Sequence, residues 1–539
     1  MTEPSKPINR WLITGTLTTL NELRIGDGGA GELDDRAKLA NKGNEQNEHD
    51  ASTVMVDARG KATIPGSSLK GPIRALVKER GLWGGNPDVW KNVLGDDVDG
   101  DDLGGKVRFM DALWADGCPD EKVANPQSVA DLNKDRARPW WDHTRRTCVQ
   151  VGHARDAETN AVDDQKLYHR EYVPPGETFT LRLLAENLTD VEAGALVGLV
   201  LALKEAGDKP PVAFGAVASK HWGRMQWDNI SVKCVGDAEI KKWLAAQDGV
   251  AGSEIIEHYG VKRTGDFRAL TLPQADELII ELNLVLDSPW LVGDPKQGKR
   301  CGFYKDKTKK KEWKPETHGD KPPDEIGAID KDGKPFDPAT SLAGALRAQA
   351  GCIVRMYDKK VCSPEPALKG KDEIECAKDL ESRDPVSQLF GFTGWKSPLE
   401  CTRADIVDQN LPKARREERI AIDRLFSDSS DGAKFDLEPT ASSRLKATLV
   451  VNMTRLGLTG RADVCVALLM FMLRDLLEGD VFLGADSGIG LGWVGKTSSL
   501  TVRRGDQNAE TFAAWASWPE SSRVLTAWDT FINEGQSNE

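Results

Sequence analysis

Two serines, a lysine and an arginine near the start of an amphipathic segment are the residues whose types and spacing best suit chemistry. Ser67, Ser68, Lys70 and Arg74 follow Ile64-Pro65-Gly66. Leu69, Ile73, Leu76 and Val77 recur at helical spacing, and either serine suits the N-cap. A helix start offers free backbone N–H groups, and Lys70 and Arg74 stand one turn apart beside them. Such a cluster suits an anion, phosphate above all. The alternative is an ordinary solvated helix start.

A second copy favours the anion reading. Residues 330–347 match residues 57–74 without a gap. Asp57 pairs with Asp330, Pro65 with Pro338, Ser68 with Ser341, Leu69 with Leu342, Gly71 with Gly344 and Arg74 with Arg347. Two copies so far apart imply two homologous domains. Ser341 and Arg347 are therefore the second phosphate-binding candidates, with a weaker grip because Ala343 replaces Lys70.

Ile-Pro-Gly-Ser-Ser-Leu-Lys-Gly followed by an arginine-bearing helix resembles the signature of the RAMP superfamily of CRISPR-associated proteins. Within it, the duplicated motif is similar to a fused, double backbone (Cas-seven-like) subunit of a type III effector, of the III-D branch. Further segments carry the likeness: Lys166 to Leu183 as a hairpin-closing strand, Glu418 to Phe426 and Gly432 to Pro439 as a thumb pair, Phe214 to Met225 and Gly484 to Val494 as glycine-rich loops. The resemblance implies crRNA, target RNA and the other type III subunits as partners, namely a large subunit and further backbone and cap subunits.

It also implies a metal-dependent endoribonuclease. Active members need an aspartate shortly before the Ile-Pro-Gly motif. Cleavage by RNA's own 2′-hydroxyl needs the attacking and leaving oxygens in line at phosphorus, with a divalent cation near a carboxylate to stabilise developing charge. Asp324 stands at the family's spacing before Asp330. In the first copy that place is Ala51, with Asp50 one residue earlier. Asp50 and Asp324 are the catalytic and metal (Mg²⁺ or Mn²⁺) candidates, with Asp34, Asp35, His49 and Glu325 behind them. Asp57 and Asp330 read as turn residues. Thumb segments add Arg145, Arg146, Arg170, Arg419 and Arg424 as RNA contacts, each as readily a surface salt bridge. Trp140, Trp141, Tyr168 and Phe426 offer base stacking or thumb packing.

Strand, helix, strand, strand, helix, strand in each half gives an α+β protein: two ferredoxin-like, RRM-like domains in tandem with thumb-like hairpin insertions. The expected boundaries are 1–265, 266–505 and a polar tail, 506–539, with a short helix. The chain has 539 residues, 39% hydrophobic and 29% charged, as in a soluble globular protein. No apolar leader follows Met1, and Val464 to Leu473 is too short to span a bilayer, so a cytoplasmic protein without membrane contact is expected.

The net charge of −13 argues against nucleic acid at first sight, but acidic residues cluster at 32–35, 45–50 and 96–102, which leaves room for a basic groove. Nine cysteines without a C-x-x-C favour free thiols, with a structural zinc at Cys352, Cys362, Cys376 and Cys401 as the lesser option. Gly26, Gly28 and Gly31 fit G-x-G-x-x-G, but no βαβ rhythm follows. Gly66 to Gly71 lacks P-loop spacing. Two other functions compete: an RNA-binding scaffold with one or both sites dead, and a guide-processing ribonuclease. The latter needs paired histidines, and His49, His143, His153 and His169 form no recognisable pair.

Overall fold

A computed structural model describes residues 9–31, 51–98, 101–115, 141–155, 162–246, 249–293, 325–328, 334–357, 367–369, 373–408, 415–422 and 429–536. In the first half, β1 (Arg10–Thr19) leads through β2 (Gly26–Gly31) and β3 (Ala51–Val54) to helix α1 (Gly66–Glu79). Strand β4 (Val107–Phe109) comes next, then the hairpin β5 (Cys148–Arg155) and β6 (Val162–Tyr172), strand β7 (Thr178–Glu186), helix α2 (Asp190–Glu205) and strand β8 (Met225–Val235).

The main sheet runs β8-β1-β7-β4, all antiparallel. With the two helices crossing between strands, this is the ferredoxin-like order. Alternating side chains of β1 and β7 turn Leu17, Phe179, Leu181 and Leu183 inward against Leu69, Ile73 and Val77 of α1. Each such Leu or Ile contributes on the order of 1.5–3 kcal/mol. Helix α2 starts at a full capping box, in which Thr189 and Glu192 satisfy each other's backbone N–H groups.

The second half repeats this plan. Strand β9 (Glu277–Val285), the short strand β10 (Glu325–Ile326), helix α3 (Ala339–Arg355) and strand β11 (Leu399–Cys401) precede a hairpin of β12 (Glu417–Ile422) and β13 (Ser429–Glu438). Strand β14 (Arg444–Asn452), helix α4 (Ala462–Glu478) and strand β15 (Ser499–Arg504) complete the core. Its order is β15-β9-β14-β11. The α+β, tandem ferredoxin-like expectation holds in both halves.

Each half also carries a small side sheet built on its hairpin. In the first, β3 runs parallel to β6, with Arg170 opposite Ser52, and β6 pairs β5. In the second, β10 runs parallel to β13, with Glu325 opposite Leu437, and β13 pairs β12. The bridges Leu23–Val173 and Trp290–Thr440 anchor the two side sheets at matching places. Counting back from them sets Arg170 against Leu437, Ser52 against Glu325, and Ala51 against Asp324.

The glycine-rich loops after α2 and α4 match in backbone as well. Val217 and Asp486, His221 and Gly490, Gly223 and Gly492 all lie in the left-handed region. Short 3-10 turns, Ala218–Lys220 and Ser487–Ile489, fill the middle of each loop. Glycine is required at two places per loop. A Cβ on Gly215 or Gly484 would meet the carbonyl oxygen of Arg24 or Leu291 at 2.2 and 2.3 Å. One on Gly223 or Gly492 would meet that of Phe214 or Leu483 at 1.9 Å. In the first half Val217 and His221 hold the same strained φ without glycine.

Two boundaries differ from the sequence reading. The residues after Arg504 are not a polar tail. Helices α5 (Phe512–Ala516) and α6 (Pro519–Gln536) bury Trp515, Val524 and Trp528 in the second core, and Trp528 meets the Phe471 ring edge-on at 5.3 Å. Their apolar face is spread at helical spacing among charged residues, which hides it in composition. The connector also reaches past 265, since Phe267, Leu270 and Leu272 pack on the first core.

Gly492→Ala should cost more than about 2 kcal/mol, from left-handed strain plus the clash with Leu483, read by urea unfolding. An unchanged midpoint would show that the loop does not need the close approach.

Candidate RNA interface and candidate catalytic positions

The start of α1 is not an open anion site. The N-cap positions are Pro65 and Pro338, with almost identical backbone angles, and no side chain caps either helix. Ser67 and Ser68 lie in the first turn instead. The Gly66 N–H donates to Asp111 Oδ1 at 2.9 Å, so a protein carboxylate already stands where a phosphate was expected. In the second half the acid is Asp337, fully buried immediately before Pro338, with Ser341 beside it.

The motif arginines hold the fold together. Arg74 reaches Asp96 Oδ1 at 3.0 Å and lies over the Trp83 ring. Arg347 is exposed and donates to the Gly391 carbonyl at 3.3 Å. Lys70 is half-buried, whereas its counterpart Ala343 is buried. Asp57 is a turn residue, as read. Its carboxylate accepts from the backbone of Arg59 and Lys61 and from Arg59 Nε. Burial tends to raise its pKa, but the Lys61 N–H and Arg59 hold it below the usual range.

Among the thumb arginines, Arg146 does not contact RNA from where it sits. It is 5% exposed and makes a two-pronged bond to Glu177, itself 2% exposed, while its guanidinium stacks over Trp114 and Trp141. Trp114 Nε1 donates to the same Glu177. Trp141 packs with Cys148, Tyr172 and Trp222, so it serves packing rather than base stacking. Arg145 makes a bidentate pair with Glu171, which also accepts from Thr147 Oγ1 and the Val54 N–H. Burial works to raise the Glu171 pKa, and Arg145 and Thr147 overcome it. That cluster ties hairpin, β3 and turn into one unit. Arg419 pairs with Glu417 at 2.6 Å. Arg170 stands on β6 opposite Ser52.

Asp50, Asp324, Arg424, Asp34, Asp35, His49, Asp330, Cys362, Trp140 and Phe426 lie outside the described residues. Their chain neighbours are placed, however. Asp50 directly precedes Ala51, the first residue of β3, and Asp324 directly precedes Glu325, the first of β10. Both aspartates thus adjoin the strand that lies parallel to the thumb hairpin. The fallback Glu325 is half-buried at that edge. Cys352 is exposed, Cys376 half-buried and Cys401 buried, its thiol pushed up to about 11 by burial. Among the described residues they do not converge on one point.

Sequence reasoning missed a contact between the halves. Glu400 of β11 accepts from Arg224 at 2.6 Å, and the same oxygen lies 3.0 Å from His221 Nδ1. Both partners belong to the first half's glycine-rich loop. Burial favours a protonated Glu400, but His221 and Arg224 outweigh it and hold the carboxyl at about 2. Arg80 with Glu277, and Arg455 with Glu79, link the halves again. Nothing in the sequence marks Glu400, because its partners come from a loop 176 residues away or more.

Two measurements test this picture. Glu177→Gln strands a buried guanidinium and should cost about 3–5 kcal/mol in urea unfolding. A cost under about 1 kcal/mol would make the pair a surface-like one. Asp337 is wholly buried beside Ser341, and burial pushes it up to about 7 against the lowering effect of that hydroxyl. The folded chain therefore binds that proton more tightly than the unfolded one, so stability falls as pH rises from 3.8 to about 7 and stays lower above. Asp337→Asn should match wild type near pH 4 and melt higher near pH 8. Equal melting at the higher pH would overturn the assignment.

Comparison with known proteins agrees with the duplication. The family model described as the RAMP superfamily matches residues 16–225 and again residues 283–495. No curated protein matches the chain. Among the described residues, no helix is long and apolar enough to cross a membrane. Both matched stretches share one strand order, one side sheet and one glycine-rich loop, and the chain belongs to the RAMP superfamily of CRISPR-associated RNA-binding proteins, carrying two of its domains in tandem.

Proposed function

We propose that this chain is a fused double backbone subunit of a type III CRISPR effector, of the III-D kind, which holds crRNA and cleaves complementary target RNA at two neighbouring sites. The observation that carries the reading is the duplicated side sheet. In each half an aspartate, Asp50 or Asp324, is joined to the first residue of a strand parallel to the thumb hairpin. Register sets Ala51 against Asp324, so Asp50 serves the first site through a one-residue longer loop.

The catalytic work asked of the protein is positional. An aspartate joined to a strand that pairs with the hairpin would be held near one phosphate, where an in-line arrangement could be reached. Carboxylate oxygen suits a hard divalent cation, Mg²⁺ or Mn²⁺, which when bound would stabilise charge developing on the phosphate oxygens. Sequence specificity would come from guide–target pairing rather than from these side chains. A large subunit, further backbone subunits and a cap subunit are the expected partners.

One observation favours an inactive or half-active scaffold as the second reading: Ala51 occupies the place of Asp324 in the first half. The assembled complex decides between them, given labelled RNA complementary to the guide and Mg²⁺. Asp50→Ala and Asp324→Ala should each erase one distinct cleavage product, and the double variant both. A ladder untouched by the double variant, with RNA still bound, would remove both aspartates from the chemistry.

A further inference from the structure

The joint between the halves is made by one glycine-rich loop, and the chain has two. In the first half that loop lies on β11, where Arg224 and His221 meet Glu400 and Lys220 stands by Cys401. The backbone match of the loops sets Ser487 in the place of Ala218, Ile489 in that of Lys220, and Trp493 in that of Arg224. Ala218 is buried and Lys220 half-buried, whereas Ser487 to Gly490 are all exposed. Phe482, Ile489 and Trp493 are 38%, 46% and 44% exposed. Phe482 and Trp493 are bridge partners, so their rings stand on one face of the loop. Among the described residues, nothing covers this second loop as the second half covers the first.

The face that receives the loop also has a second copy. On the inner side of the sheets, Leu183 pairs with Phe109 and Leu449 with Cys401. The next pairs are Leu184 with Arg108 and Val450 with Glu400. Arg108 of β4 therefore stands where Glu400 stands on β11. Its side chain is 72% exposed and reaches Glu186 only at 3.9 Å. Cys401 is buried under the first loop, but Phe109 is half-buried and the adjoining Met110 is exposed.

The changes on the two open surfaces are matched. Where the loop exchanges Arg224 for Trp493, the face exchanges Glu400 for Arg108, and a guanidinium over an indole replaces a guanidinium on a carboxylate. Where the loop exchanges Lys220 for Ile489, the face exchanges Cys401 for Phe109, and both sides are apolar. A large aromatic beside an arginine is the chemistry on which protein interfaces most depend.

We infer that the glycine-rich loop of the second half docks on the β4 edge of a second copy of this chain, with Trp493 over Arg108 and Ile489 on Phe109. The contact continues between copies the joint that already exists within one. The inference rests on the backbone-subunit reading above and names the surfaces such a subunit would use. Loop and face are different surfaces, so each copy keeps one of them open, and the contact builds rings or open arrays.

Sedimentation of the full chain, without RNA, tests it. The average mass should climb with concentration past that of a dimer. Trp493→Arg and Arg108→Glu should each weaken association roughly tenfold or more, with melting unchanged because both sites are exposed. Combined in one chain, the two substitutions rebuild the Arg224–Glu400 pair between copies, and association should recover. A double variant no better than either single one would overturn the pairing, as would a wild-type chain that stays monomeric at high concentration. In that last case, a Trp493→Cys crosslink to a different subunit of the assembled complex would give the loop another occupant. No RNA enters the assay, so its failure leaves the RNA-binding reading standing, and loss of RNA binding leaves the association standing.

Discussion

Four carbonyl oxygens set the shape of this protein. Those of Arg24 and Phe214 in the first half, and of Leu291 and Leu483 in the second, lie so close to a loop glycine that no side chain fits between. That contact binds the end of one helix connection to the residues leaving the first strand. The motif helix, the strand before it and the hairpin can then hold one geometry twice, although few side chains are shared.

The shared backbone leaves the halves free to diverge in what they place on it. The first half fills its loop region with ions: Arg24, Arg145 with Glu171, Arg146 with Glu177. The second fills the same region with Leu291, Leu437 and Leu491, and puts a lone carboxyl, Asp337, where the first has the buried Ile64. Buried ion pairs are a poor route to stability, since desolvation offsets much of their attraction. Their concentration in one half points to precise placement of the hairpin as what they provide.

Much of this was legible in the sequence. The gapless match of residues 57–74 to 330–347 carried the duplication, and the strand and helix order of each half carried the sheets. Asp57 read correctly because an Asx turn is local. What could not be read is what depends on distant partners. Arg74 and Arg146 looked like phosphate ligands until Asp96 and Glu177 were seen to hold them. The loop at 214–223 has fewer glycines than its counterpart, since Val217 and His221 stand where the second copy has Asp486 and glycine. Only the backbone angles show that nothing has been lost. The packing of the final segment on the second core was hidden, because Trp515, Val524 and Trp528 are widely spaced among charged residues.

The contact through Glu400 has a consequence set by the covalent join between the halves. Residues 236–276 tether the loop that carries His221 and Arg224 to the strand that carries Glu400. Docking is thus a unimolecular event, at an effective concentration set by the tether and not by how much protein is present. An ion-paired contact too weak to hold two separate chains at cellular levels holds here at any dilution. Fusion lets the joint stay polar, salt-sensitive and small without its closure depending on protein concentration.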